Sequence, residues 1–154
     1  MTVMLHNFFR WSLAAFFLLF TFAAIGQQRI GWDTFAQVPF DKKYSDELDA
    51  YFWFPAFPDK IIALEGERIV MQGYLIVLDV EADFLVLSAN PFASCFFCGN
   101  AGPESVVELR VKKKGKNLRT DEYVWVTGRL RLNDKDVNEM NFILEEATIS
   151  SEAP

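Results

Sequence analysis

Two cysteines, Cys95 and Cys98, are the residues of this chain best suited to chemistry, and they stand three positions apart. They lie in Ser94-Cys95-Phe96-Phe97-Cys98-Gly99-Asn100-Ala101-Gly102-Pro103-Glu104-Ser105, the densest run of turn-forming residues in the sequence, set between two apolar segments. A Cys-x-x-Cys pair admits four kinds of chemistry. Covalent haem attachment needs a histidine directly after the second cysteine, and Gly99 stands there, which excludes it. Thiol–disulfide exchange of the thioredoxin kind needs the first cysteine at a helix N-terminus, where the dipole and free amides lower the thiolate pKa. Residues 99–105 cannot start a long helix, and no βαβ pattern surrounds them. A tetrahedral zinc site would use the pair as half of its ligands, whereas Cu(I) tolerates two soft thiolates alone. Glu104, Met71 and Met140 are the further donors this chain could bring. The fourth reading is a local Cys95–Cys98 disulfide, close to the limit of disulfide geometry in so short a loop and therefore strained and easily reduced. The missing third and fourth ligands weigh toward the disulfide, and the metal reading stays open beside it.

Other catalytic constellations are scarce. His6 is the only histidine, and it lies in a segment expected to be removed, so a Ser/His/Asp triad cannot form. Glu145-Glu146 and Asp134/Asp136 sit at a strand end and in a turn, where solvation is the ordinary explanation, and no phosphate-binding glycine loop is present. An enzyme is the weaker class and a binding or accessory module the stronger. Five cations in residues 112–119 read as a solvated hairpin tip that favours solubility.

The N-terminus decides which residues belong to the folded product. His6 and Arg10 precede an apolar block from Trp11 to Ile25, short for a bilayer when a spanning helix needs roughly 20 apolar residues. Ala24 and Gly26 stand two apart before Gln27-Gln28-Arg29, so residues 1–26 are expected to be a signal peptide cleaved after Gly26, with an uncleaved N-terminal anchor as the alternative. The expected location is the periplasm or cell envelope; the alternative is an N-terminally anchored inner-membrane protein. Without Arg10 the chain keeps 14 basic against 21 acidic residues, a net charge of −7, which disfavours nucleic acid as a partner. The 128 residues left suffice for one domain with a proper core. An exported compartment is oxidising, where two cysteines can pair and persist.

The elements that must position the cysteine loop follow from periodicity. Residues 27–66 read as an irregular aromatic strap, carrying Trp32, Phe35, Tyr51 and Trp53 among others, with one helical turn at 45–50 capped by Ser45. Pro39, Pro55 and Pro58 argue against regular ladders in it. Burial against the core is the ordinary fate of such aromatics and an exposed partner-binding patch the sharper one. Residues 67–150 read as five strands, at 68–78, 84–88, 106–112, 123–132 and 140–149, separated by turns. Gly73 inside the first suggests a bulge or sharp bend. The order predicts a mainly β fold, a small, partly open, five-stranded antiparallel barrel of OB-like type with an N-terminal strap, and a two-sheet sandwich as alternative. Residues 151–154 read as a frayed tail.

With these residues in view, the chain resembles an uncharacterised family of small exported bacterial proteins, a domain-of-unknown-function family with an OB-like barrel. The likeness rests on Gly31-Trp32-Asp33, on residues 51–55, on Leu64-Glu65-Gly66-Glu67-Arg68-Ile69-Val70-Met71-Gln72-Gly73-Tyr74, and on the cysteine loop with Gly102-Pro103 before a Val-rich strand. It covers residues 30–150. The resemblance implies a cell-envelope accessory or metal-associated role, beside a membrane protein or a component of a transport system, and it identifies no reaction; zinc or copper is the metal that the two thiolates themselves would suit.

Overall fold

The computed structural model describes residues 27–46, 49–79, 84–112 and 118–154. The expected signal peptide, the turn at 80–83 and the centre of the basic tip, 113–117, lie outside the described residues. Five strands form the body: β4 (Arg68–Asp79), β5 (Phe84–Ser88), β6 (Val106–Val111), β7 (Tyr123–Leu132) and β8 (Phe142–Ser150). Ahead of them come β1 (Gln28–Arg29), β2 (Phe40–Ser45) and β3 (Ala50–Pro55), with two single-turn helices, α1 (Trp32–Phe35) and α2 (Asp59–Ile62).

The five strands close on themselves in the order β4-β5-β6-β8-β7, with β7 returning to β4. The fold is mainly β, as the alternation predicts, but it is a closed ring and not a partly open meander. β6 pairs with β8 in parallel, so the third strand of the ring lies beside the fifth, and the two-sheet sandwich is ruled out. Closure is made possible by the length of β4. Its first part, Arg68 to Tyr74, pairs with β7, and its second, Tyr74 to Asp79, with β5. A ring has no exposed edges to template aggregation. β1 adds a short parallel pairing to Ile69 and Val70.

Gly73 sits where β4 changes partner. The register runs through it without a break, and the irregularity falls between Val77 and Asp79 instead. The glycine serves close approach: a Cβ here would meet Ser88 O at 2.5 Å, Trp32 Cζ2 at 3.1 Å and Leu87 Cγ at 3.2 Å. Trp32 is held there by its Nε1, which donates to Gln72 O at 2.8 Å. A strand ordinarily gains from Gly→Ala, yet the colliding Ser88 oxygen belongs to the backbone and cannot swing aside. Gly73→Ala is therefore expected to destabilise by about 2 kcal/mol through overpacking. A shift of the urea midpoint measures it, and an unchanged or raised midpoint would refute the close approach.

The strap is more regular than its prolines suggest. β2 and β3 form an antiparallel hairpin from Phe40↔Pro55 to Ser45↔Ala50. Ser45 is thus a paired strand residue and does not cap a helical turn at 45–50. The physical reason is where the prolines fall. Pro39 precedes β2, Pro55 ends β3 and Pro58 is the N-cap of α2, so no ladder donor is lost from a strand interior.

Inward side chains of the ring make the main core, which extends into the strap through Phe35, Phe57 and Ile61. Phe35 stacks on Phe142 with ring centroids 4.3 Å apart, and Phe57 meets Phe142 edge-on at 5.6 Å. A second, smaller cluster lies on the other side of the wall. There Ile76, Val86 and Val106 are covered by Leu78, Phe96 and Met140. Phe96 comes from the cysteine loop and Met140 from the 133–141 loop, so this cluster ties both loops to the barrel.

Candidate functional site

Between β5 and β6 the chain makes three single-turn 3-10 helices, Phe92–Ser94, Phe96–Cys98 and Pro103–Ser105. Gly99, in the left-handed region at φ 75°, ends the second. The two cysteines have opposite surroundings: Cys95 is fully buried and Cys98 exposed, and both are free thiols. Cys98 Sγ donates to Phe92 O at 3.0 Å, and the Cys98 amide donates to Cys95 O at 3.1 Å. Local desolvation, with nearby Cys95 as the further cause, holds the Cys98 thiol pKa above its ordinary value. A reactive thiolate needs the reverse. Alkylation of Cys98 by iodoacetamide at pH 7 is expected to run slower than that of free glutathione, and its rate to be still rising with pH where that of glutathione has levelled off. Rapid labelling at neutral pH would contradict this.

The further donors named from the sequence do not gather on the sulfurs. Met71 is buried in the barrel core opposite Val126. Glu104 turns back over Gly102, where any Cβ would strike its carboxylate. Met140 packs with Phe96 in the small cluster. Among the described residues no group of three or more His, Cys, Asp and Glu comes together to hold a metal ion. The residues present fit poorly to a closed tetrahedral zinc site, which wants four ligands.

The larger feature is a cleft of about 400 Å³ beside this loop. One side is β3, which contributes Tyr51, Phe52, Trp53 and Phe54; the floor holds Phe96, Val106 and Met140; the far wall is Lys135 to Asn141. Tyr51 is 62 % exposed and Trp53 49 %, while Phe35 is fully buried and Trp32, Phe40 and Phe57 pack on the core. The strap aromatics thus divide between the two fates open to them, with the exposed ones gathered on the hairpin.

The far wall is held by polar interactions. Asn133 is buried, and its Nδ2 donates to Asp136 O at 2.6 Å, Glu139 O at 3.2 Å and Met140 O at 3.3 Å. Its Oδ1 accepts from the amides of Lys135 at 3.2 Å and Asp136 at 2.9 Å. Glu139 is clamped by Arg110 Nη2 at 2.5 Å and Arg131 Nη2 at 2.7 Å, contacts that hold its carboxyl below the usual range, Arg110 foremost. Glu108 receives Arg110 Nε at 3.0 Å and the Met140 amide at 3.2 Å. The cleft therefore has a wall fixed before any ligand arrives. Residues 133–136 read from sequence as a turn, and Asn at its head was the one sign of an Asx-built loop. Nothing in the sequence joined Glu139 to Arg110 and Arg131.

The described residues contain no helix long and apolar enough to cross a membrane. No family model matches the sequence, and no curated protein matches it. Among solved structures, the chain is similar in fold to the crystal structure of a DUF3299 family protein (PA4066) from Pseudomonas aeruginosa PAO1. The TM-score is 0.51 at 13 % sequence identity, over 84 % of this chain and 99 % of that one. The likeness is one of fold, and it places the architecture beside that of an uncharacterised family.

Proposed function

We propose that this chain is an exported cell-envelope binding or accessory protein that engages its partner, a membrane protein or a component of a transport system, through the cleft between β3 and the 133–141 loop. The observation that carries this reading is the cleft itself: about 400 Å³, floored by apolar side chains and walled by a prearranged polar loop. The ring order β4-β5-β6-β8-β7 supports an OB-like barrel, a fold that uses its loops and one strand face for binding. The cysteine loop contributes Phe96 to the cleft floor. Zinc or copper on Cys95 and Cys98 is the less supported form of the reading, because one cysteine is buried and the other exposed, and among the described residues no third His, Cys, Asp or Glu joins them.

Site-specific photocrosslinking in intact cells tests it. A benzoylphenylalanine at position 53 should give a discrete adduct in the envelope fraction, and the same group at position 60, on α2 and outside the cleft, should not. Adducts that do not depend on position, or a protein confined to the cytoplasmic fraction, would overturn the proposal.

A further inference from the structure

The cleft is bordered by the edge of a strand, and not by one of its faces. Successive residues of a strand point to opposite sides, yet four successive residues of β3, Tyr51 to Phe54, line the space. β2 and β3 form a two-stranded sheet, so among the described residues the side of β3 away from β2 is unpaired. The phase of the ladder says which groups that edge presents. Ala56 N–H donates to Pro39 O at 2.9 Å, and this pair continues the register Phe40↔Pro55. Hydrogen-bonded pairs alternate along an antiparallel ladder. Asp41↔Phe54, Lys43↔Phe52 and Ser45↔Ala50 therefore exchange the bonds, and Tyr51 and Trp53 direct their N–H and C=O groups away from β2, toward the cleft.

A row of donors and acceptors repeating every second residue is matched by another extended backbone. Charge narrows the occupant further. Asp136 Oδ1 accepts from the amide and side chain of Asn138, at 2.9 and 3.0 Å, and Glu139 is held by two arginines. Lys135 also lines the cleft, and its ammonium has no ion-pair partner among the described residues. Among those residues Lys135 is the one cation lining the cleft, beside an Asp136 carboxylate whose Oδ1 is taken up by Asn138, so it is the point at which a ligand's carboxylate would be received. A sugar-stacking role fits less well, because Lys42 Nζ lies 5.0 Å over the Tyr51 ring and Tyr44 meets that ring edge-on at 5.0 Å. A second copy of the hairpin would bring two strands against the far wall where the cleft borders a single edge.

We propose that the cleft takes an extended, apolar peptide segment carrying a carboxylate, added as a third strand to the free edge of β3 with its charge at Lys135. This rests on the reading of the cleft as a binding surface and specifies the ligand of that surface.

The test uses the full 154-residue chain and an acetylated hexapeptide of alternating valine and threonine with a free C-terminal carboxylate, followed by amide NMR titration. Two N-methylated versions of the peptide block alternate amides in opposite phases. One phase is expected to weaken binding about tenfold and the other to leave it within about twofold, since one phase alone removes backbone hydrogen bonds. Tyr51 and Trp53 amides should gain protection. Converting the peptide carboxylate to an amide should cost about threefold in the wild type and nothing further in Lys135→Ala, as an exposed ion pair would. Trp53→Pro, which deletes an outward N–H, should bind worse than Trp53→Ala. Equal loss for both methylation phases overturns the proposal, as does binding of chitotriose in place of every peptide, or a concentration-dependent dimer that protects Tyr51 and Trp53. The fluorescent apolar probe anilinonaphthalene sulfonate separates the two readings. If the probe binds in a manner lost in Met140→Asp while no peptide does, the cleft stands and strand addition is overturned; if neither binds, both readings fall.

Discussion

Phe142→Ala is expected to lower the folding stability by about 4 kcal/mol, the upper range for truncating a buried aromatic. Phe142 is fully buried at the start of β8, where it pairs with Leu132 of β7. Its ring is shared by two parts of the strap: Phe35 stacks on it from α1, and Phe57 meets it from the segment between β3 and α2. Removing it opens a cavity that neither neighbour can fill alone, since each is fixed by its own element, and it deletes two aromatic contacts worth about 1 kcal/mol each beyond burial. Against a total stability of roughly 5–15 kcal/mol for a domain, that is a large fraction. Urea unfolding followed by circular dichroism gives the number, with Phe84→Ala, at an exposed ring, as the comparison. A loss below about 1 kcal/mol, the level of an ordinary surface change, would mean that the strap is not anchored through this ring.

Asn133→Ala is expected to cost about 2–3 kcal/mol and to loosen the far wall of the cleft with it. The five hydrogen bonds of its side amide organise residues 135–140. Each is worth about 1 kcal/mol net, and water reaches some of the released loop groups, so the sum stays below five times that value. Loss of the amide frees the Lys135 and Asp136 N–H groups, and hydrogen exchange at those two sites should speed up well before global unfolding. Asn133→Asp keeps the acceptor that bonds them, so it should retain their protection while losing the three carbonyl contacts. Exchange at Lys135 and Asp136 that is the same in Asn133→Ala as in the wild type would remove the side chain from this role.

The barrel strands were legible because each carries its own periodicity. Val107 and Leu109 face the core and Glu108 and Arg110 do not, as their alternation predicts. Residues 84–88 and 123–132 fall within the bounds read from sequence. The hairpin of the strap was not legible, since neither strand alternates: β2 is polar along most of its length and β3 apolar throughout. Which strands lie side by side is a matter of distant pairing, invisible to any local pattern, and the parallel contact of β6 with β8 is the clearest case. At the site, the cysteine spacing announced the loop but could not say that one sulfur is buried and the other exposed. The cleft is assembled from residues near 52, 96 and 140, and no window of sequence contains all three.

The return of β7 to β4 bears on how such a chain reaches its native state. Arg68 meets Arg129 and Tyr74 meets Tyr123, pairings spanning half a hundred residues, and the ring cannot shut until they form. Loop entropy must be spent before those contacts give anything back, which places the fold among slow, millisecond-to-second folders. Until that moment both β4 and β7 expose an unpaired edge. The interval before closure, more than the finished barrel, is when this protein is vulnerable to sticking to its own kind.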